Sequence, residues 1–204
     1  MQNIKNIVFD LGGVILNLDF KKTELAFAAL GIGNINQYYT LQTATPIFEQ
    51  LEIGAITPNE FYDAFRKLVE LPLTNDQILQ AWNAMLLDFP AERINWLKDI
   101  AKKYKLYLLS NTNEIHYTAF MKTFKKDIGD FNFDDIFIKA YYSHKLGLRK
   151  PSKEIFETIL KNENLDSAET LFIDDSAANI QAAKDVGLQT IHLLSPKTIL
   201  ELDL

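Results

Sequence analysis

The sequence predicts an α/β fold: a doubly wound parallel sheet with a small helical unit inserted near its start. Three observations predict it. Short apolar runs ending on polar residues recur along the chain, helical patterns lie between them, and one long stretch breaks this alternation.

The first run, residues 4–9 (IKNIVF), stops at Asp10 and the Gly12–Gly13 pair, as a buried parallel strand ending at a functional loop does. Residues 16–90 then read as several amphipathic helices with no buried strand. Phe48, Phe61, Tyr62, Phe65, Leu68 and Trp82 would give this stretch a small core of its own, with turns at Gly54, Pro58, Pro72 and Asn75. Residues 1–15 and 91–204 are thus expected to form the core domain, and 16–90 a helical cap. In the core, Ile94, Leu97, Ile100, Ala101 and Tyr104 mark a helix, and LYLLS (106–110) and FIKAYY (137–142) mark strands. Ile155, Phe156, Ile159 and Leu160 repeat the helical spacing ahead of the strand TLFI (170–173). Ile180, Ala183 and Val186 do so ahead of TIHL (190–193).

Composition narrows the function. With 204 residues, 48% of them hydrophobic, the chain can build one main core and a smaller companion. Cysteine is absent, which excludes disulfides and thiolate metal sites and fits a reducing interior. The start, MQNIKNIVFD, has no basic segment before a long apolar stretch, and no run approaches the roughly 20 apolar residues of a spanning helix. A soluble, cytoplasmic protein with no membrane attachment is expected. A formal charge of −6 and a pI near 5.1 argue against a nucleic-acid partner. Lys102–Lys103 and Lys125–Lys126 read as solvated helix faces. No G-x-G-x-x-G run supports a nucleotide cofactor. Nothing in the sequence bears on oligomeric state.

In an open parallel sheet the ligand lies beyond the carboxyl ends of the strands, where the winding reverses. The polar residues fall at those ends. Asp10 follows the first strand, Ser110 and Asn111 close the second, and Asp174 and Asp175 close the fourth. Lys150 stands in GLRKPSKEIF, ahead of a helix expected to hold Pro151 in its first turn. Three carboxylates gathered together repel one another and favour a hard divalent cation, and oxygen ligands with room for water suit Mg²⁺. A lysine and a serine hydroxyl beside them offer charge and a hydrogen bond to a phosphoryl group, which an Asp carboxylate can attack. Each residue alone has a plainer use, as helix cap or turn, and Gly12–Gly13 can simply permit a tight turn. Their joint occurrence, in order on one alternating pattern, points to chemistry.

On these residues the chain resembles the haloacid dehalogenase-like hydrolases. FDLGGV (9–14), LLSNTN (108–113), RKPSKEIF (149–156) and FIDDSAANIQAAKDVG (172–187) look like that superfamily's four motifs, in order and across essentially the whole chain. The resemblance is greatest to bacterial sugar-phosphate phosphatases of the glucose 1-phosphate type, in the capped subfamily I with a Rossmann-like core. It implies a magnesium-dependent phosphatase of small phosphorylated metabolites. Asp10 would be nucleophile and metal ligand, and Gly12 would give its carbonyl to Mg²⁺. Ser110 and Asn111 would hold the phosphate, and Lys150 would bridge phosphate and Asp10. Asp175 would bind metal, with Asp174 either a second ligand or a support through water. Asn179 stands where many relatives carry another acid.

One position departs from the pattern. Many relatives carry a second Asp two residues after the nucleophile as general acid and base, help typically worth about 10²–10⁴ in rate. Here that residue is Gly12. Asp19, Glu114, His116 and His144 are conceivable substitutes. Two alternatives follow from the departure: a metabolite- or protein-binding relative with little turnover, and a metal-independent 2-haloacid dehalogenase, against which the Asp174–Asp175 pair argues.

Overall fold

The computed structural model describes residues 3–39 and 45–204. Five parallel strands form one sheet among the described residues: β1 (Asn6–Phe9), β2 (Lys105–Ser110), β3 (Lys139–Tyr142), β4 (Thr170–Asp174) and β5 (Gln189–His192), in the order β3-β2-β1-β4-β5. Each expected strand is present, within three residues of its expected ends. The chain winds outward from β1 to β3, returns to the other side of β1 as β4, and ends at β5, so the winding reverses beside β1. Phe9 lies opposite both Leu108 and Ile173, and the Asp10 N–H still donates to Ile173 O at 2.9 Å. The ends of β1, β2 and β4 are therefore level, and the polar residues that follow them start from one line.

Helices cover both faces of the sheet. Helix α5 (Ala91–Ile100) and α6 (Glu114–Asp127) share one apolar cluster with Ile7, Phe9, Leu106, Leu108, Leu171 and Ile173. Beyond the short α7 (Ser143–Leu146), helix α8 (Lys153–Asn162) and α9 (Ala177–Asp185) share another with Val8, Tyr107, Leu109 and Phe172. Successive strand residues face opposite sides, both covered, which is why the middle positions of β1, β2 and β4 are apolar; the buried polar residues Asn6, Ser110, Thr170 and Asp174 stand at strand ends. Helix α6 was not singled out by the sequence reading. Its buried Ile115, His116, Phe120 and Phe124 keep helical spacing, but lysines and polar residues dilute the pattern.

Helices α1 (Phe20–Ala29), α2 (Pro46–Glu52), α3 (Pro58–Val69) and α4 (Asn75–Asn83) pack on an apolar cluster containing Phe27, Phe48, Phe61, Phe65 and Trp82. Residues 40–44 of this stretch lie outside the described residues. Thr57–Glu60 and Thr74–Gln77 form capping boxes that start α3 and α4, with Pro58 and Asn75 as first helical residues. The entering and leaving chains pair side by side: Leu87 N donates to Asn17 O and Asp19 N to Met85 O, with Leu18 opposite Leu86. No described helix is long and apolar enough to cross a membrane.

Candidate active site

Lys150 is the hub of the strand-end cluster. Its side chain is 1% exposed, and its ammonium donates to Asp10 Oδ1 at 2.8 Å, Asp174 Oδ2 at 2.7 Å and Leu109 O at 3.0 Å. Three acceptors meet three ammonium protons. Asn111 explains how a residue so far along the chain is fixed there. Its amide donates to Lys150 O at 2.8 Å, and its carbonyl accepts from Lys150 N at 2.9 Å. Pro151, expected in the first turn of α8, instead precedes the helix. The Asn111 pair and the Ser152 N to Arg149 O bond hold this segment as a turn, so α8 begins at Lys153.

Asp174 is fully buried and saturated. Oδ2 takes Lys150, Oδ1 accepts from Ser176 N at 2.7 Å, and the Asn179 amide reaches both oxygens at 3.0 and 3.1 Å. Asn179 thus neutralises a contact that an acid there would make repulsive. Asp175 is exposed, and its backbone carbonyl accepts from His192 Nε2 at 2.9 Å. Gly13 lies at φ 74°, and a Cβ there would stand 2.4 Å from Asp175 Oδ2. Glycine at this place both permits the turn and lets the Asp175 carboxylate come close.

Asp10, Asp174 and Asp175 each offer an oxygen, all within 4.8 Å of one another, and no other such group of potential metal ligands occurs among the described residues. Against one ammonium, three carboxylates leave two negative charges in excess. That is the charge a divalent cation cancels, and the all-oxygen donor set suits a hard one. The unbalanced cluster shows in its proton affinities. Burial, aided by Asp174 and Asp175 and opposed by Lys150, pushes Asp10 up to about 7. Burial and Asp174 raise Asp175, against the pull of Lys150 and His192. Burial alone would lower Lys150, but Asp10 and Asp174 outweigh it and raise it.

These residues open onto a cavity of about 660 Å³ between the sheet ends and the inserted helices. Asp10, Gly12, Ser110, Asn111, Lys150, Asp175 and Asn179 line its floor; Glu49, Glu52 and Tyr39 from the inserted stretch line it opposite, beside Arg149. Sequence reasoning missed these last four. Their signal is faint, since glutamates in a short helix normally face water; Glu49 stays half-exposed, and only the docking of α2 buries Glu52.

The four substitutes for a leaving-group acid are otherwise engaged. Asp19 caps α1, accepting from Lys21 N at 3.0 Å. His144 Nε2 lies 3.2 Å from Glu114 Oε2, and neither residue lines the cavity. His116 does line it, but its ring stacks on Trp82 with Nε2 3.2 Å from Trp82 O and Nδ1 3.3 Å from the Asn113 amide. Burial holds it down at about 4, so it is a neutral packing residue at physiological pH. At Gly12 itself the neighbour is apolar. A Cβ there would come within 2.6 Å of Leu18 Cδ1, so a longer side chain would have to displace the end of Leu18.

The model of the haloacid dehalogenase-like hydrolase family matches residues 4–187. The chain belongs to that family. Among curated relatives of this haloacid dehalogenase-like hydrolase, the D-ribitol-5-phosphate phosphatase of Bacteroides thetaiotaomicron is 35% identical, over 93% of this chain and 91% of that one. A sesquiterpene phosphatase of Aspergillus oryzae is 27% identical over 93% and 89%. Among solved structures, a wild-type family enzyme of B. thetaiotaomicron in complex with magnesium and inorganic phosphate superposes with a TM-score of 0.86 at 37% identity, over 95% and 96% of the two chains. The L-2-haloacid dehalogenase of Xanthobacter autotrophicus shares the fold alone, at 17% identity and a TM-score of 0.59, over 95% and 79%. The chain is accordingly a phosphatase-type member of the family.

Proposed function

We propose that this haloacid dehalogenase-like hydrolase is a Mg²⁺-dependent phosphatase of small phosphorylated metabolites, sugar and polyol phosphates among them, acting through an aspartyl-phosphate on Asp10. The observation that carries the proposal is the buried Lys150 ammonium shared between Asp10 and Asp174, with Asp175 close enough to join a common cation. Mg²⁺ held by Asp10, Asp175 and the Gly12 carbonyl, with Asp174 behind them, would supply positive charge to the phosphoryl oxygens. Residues 16–90 are the cap that closes over the ester.

In the first step a carboxylate oxygen of Asp10 bonds to phosphorus and the ester P–O bond breaks, its electron pair leaving on the alcohol oxygen, which takes a proton from water in the cavity. Lys150 keeps Asp10 oriented and favours its ionised form. Ser110 and the backbone that follows, ending β2 level with Asp10, hold the phosphoryl oxygens. In the second step water attacks the same phosphorus, the bond to Asp10 breaks, and the carboxylate returns with release of inorganic phosphate.

The test is phosphate release from a panel of phosphorylated metabolites with and without Mg²⁺. Release is expected with Mg²⁺, none after chelation, and background only from a folded Asp10→Asn variant. Undiminished turnover by that variant, or full activity after thorough chelation, would refute the assignment.

A further inference from the structure

We propose that Glu52 is the specificity-determining acceptor of the cavity, taking hydrogen bonds from hydroxyl groups of a polyhydroxylated substrate such as a linear polyol monophosphate. The inference deepens the phosphatase reading and rests on it.

Glu52 is the last residue of α2, 7% exposed, on the wall of the cavity whose floor is Asp10 and Lys150. A buried carboxylate there calls for partners, and those it has are poor. Tyr39 donates to Oε1 at 3.4 Å, the long limit of a hydrogen bond. Arg149 Nε approaches Oε2 to 3.0 Å, yet out of line, and both atoms are buried with no hydrogen-bond partner among the described residues. The guanidinium is instead directed to Glu49, which its Nη1 meets at 2.9 Å. Charge compensation is thus present while the hydrogen-bond capacity of Oε2 is left unfilled.

A buried acceptor left short of donors is costly unless something fills it, and in a substrate cavity the missing donor is the substrate's own. Its surroundings define that donor. Arg149 already supplies positive charge, so a cationic substrate is not called for. A second phosphate would face two glutamates. A neutral hydroxyl suits both constraints. The position is built rather than incidental: Gly54, at φ 69°, lies where a Cβ would come within 2.1 Å of His144 O, so the turn that ends α2 is seated tightly against the short helix Ser143–Leu146 just ahead of Arg149. Phosphorus at Asp10 and hydroxyls at Glu52 then place the ester across the cavity, its chain lying along Leu18, Phe20 and Leu86.

The experiment compares wild type, Glu52→Gln and Glu52→Leu on ribitol 5-phosphate, n-pentyl phosphate and p-nitrophenyl phosphate, with Mg²⁺. Pentyl phosphate keeps the alkoxide leaving group without hydroxyls; the nitrophenyl ester needs neither hydroxyls nor leaving-group protonation. Wild type is expected to prefer the polyol ester over pentyl phosphate. In Glu52→Leu, kcat/KM on the polyol ester falls roughly 10- to 100-fold, mostly through KM, the scale of one hydrogen bond to a charged group. The other two esters lose several-fold less, and Glu52→Gln, which keeps an acceptor oxygen, is intermediate. Parallel losses on both alkyl esters with the nitrophenyl ester spared would overturn the proposal in favour of a proton-donating Glu52. Equal losses on all three would reduce Glu52 to a structural part. A wild-type protein inert to all three would sink the phosphatase reading instead. Calorimetric binding of ribitol 5-phosphate, equal in wild type and Glu52→Leu, would then sink this one too.

Discussion

Gly13→Ala isolates the step from backbone geometry to metal binding. The new Cβ would stand 2.4 Å from Asp175 Oδ2, and ordinary contact begins at 3.4 Å, so the carboxylate must retreat by about 1 Å. Mg²⁺ demands oxygens at roughly 2.0–2.1 Å in near-ideal octahedral geometry, so a ligand set back that far is lost or badly strained. The concentration of Mg²⁺ for half-maximal phosphate release should rise by about 10- to 100-fold, the range for disturbing the supports of a metal ligand. Alanine at φ 74° also costs about 1–2 kcal/mol of backbone strain, and a control must remove that. Gly147 supplies it: its φ is also 74°, and a Cβ there meets nothing within 4 Å. Gly147→Ala should lose comparable stability in urea unfolding while keeping the wild-type Mg²⁺ activation curve. Equal Mg²⁺ weakening in both variants, or none in Gly13→Ala, would show that Asp175 does not depend on the empty space at Gly13.

Lys150→Met should leave Asp10 and Asp174 facing each other uncompensated, costing about 3–5 kcal/mol in chemical denaturation. Lys150→Arg should not restore activity, because a planar guanidinium cannot meet Asp10, Asp174 and Leu109 O as a tetrahedral ammonium does. Mg²⁺ affinity, followed by calorimetry, should fall as pH drops below about 7, by up to tenfold per unit, since the cation must displace the proton that burial holds on Asp10; a flat profile from pH 5.5 to 8 would contradict it. For the metal-free protein the sign follows from the same raised value. The protonated form of Asp10 is favoured in the fold, so stability present below 3.8 declines as pH rises towards about 7, and saturating Mg²⁺ should remove the decline in thermal unfolding.

The floor of the site was readable because two rules coincide there. A buried parallel strand is a short apolar run, so its end is marked by the first polar residue, and in a wound sheet the ends beside the reversal converge. Asp10, Ser110 and Asp174 each stand at such an end, and the level register of β1, β2 and β4 brings those ends together. Lys150 was legible only by its motif, since what seats it is a pair of side chain to backbone hydrogen bonds from Asn111, which no periodicity announces. The division of labour within Asp174–Asp175 was open to the motif resemblance alone, and then only in part. Adjacent residues look alike in sequence, while the structure saturates one with Lys150, Ser176 and Asn179 and presents the other at the surface of the cavity.

The roof was unreadable because its residues are of the type that normally faces water. Glu49 and Glu52 sit in a seven-residue helix, where amphipathic patterning assigns charged positions to solvent; the burial of Glu52, and the approach of Glu49 to Arg149, come from where the helix docks, a tertiary fact. The methyl of Leu18 beside Gly12 belongs to the same class of information. Floor and roof therefore carry different kinds of chemistry. On the proposed reading, charge and hydrogen bonds to the phosphoryl group would come from Asp10, Ser110, Lys150 and Asp175, at strand ends and the loops just beyond them. Discrimination among leaving groups would then fall to residues such as Glu52, whose positions depend on how the inserted helices dock beside Arg149 rather than on the sheet register.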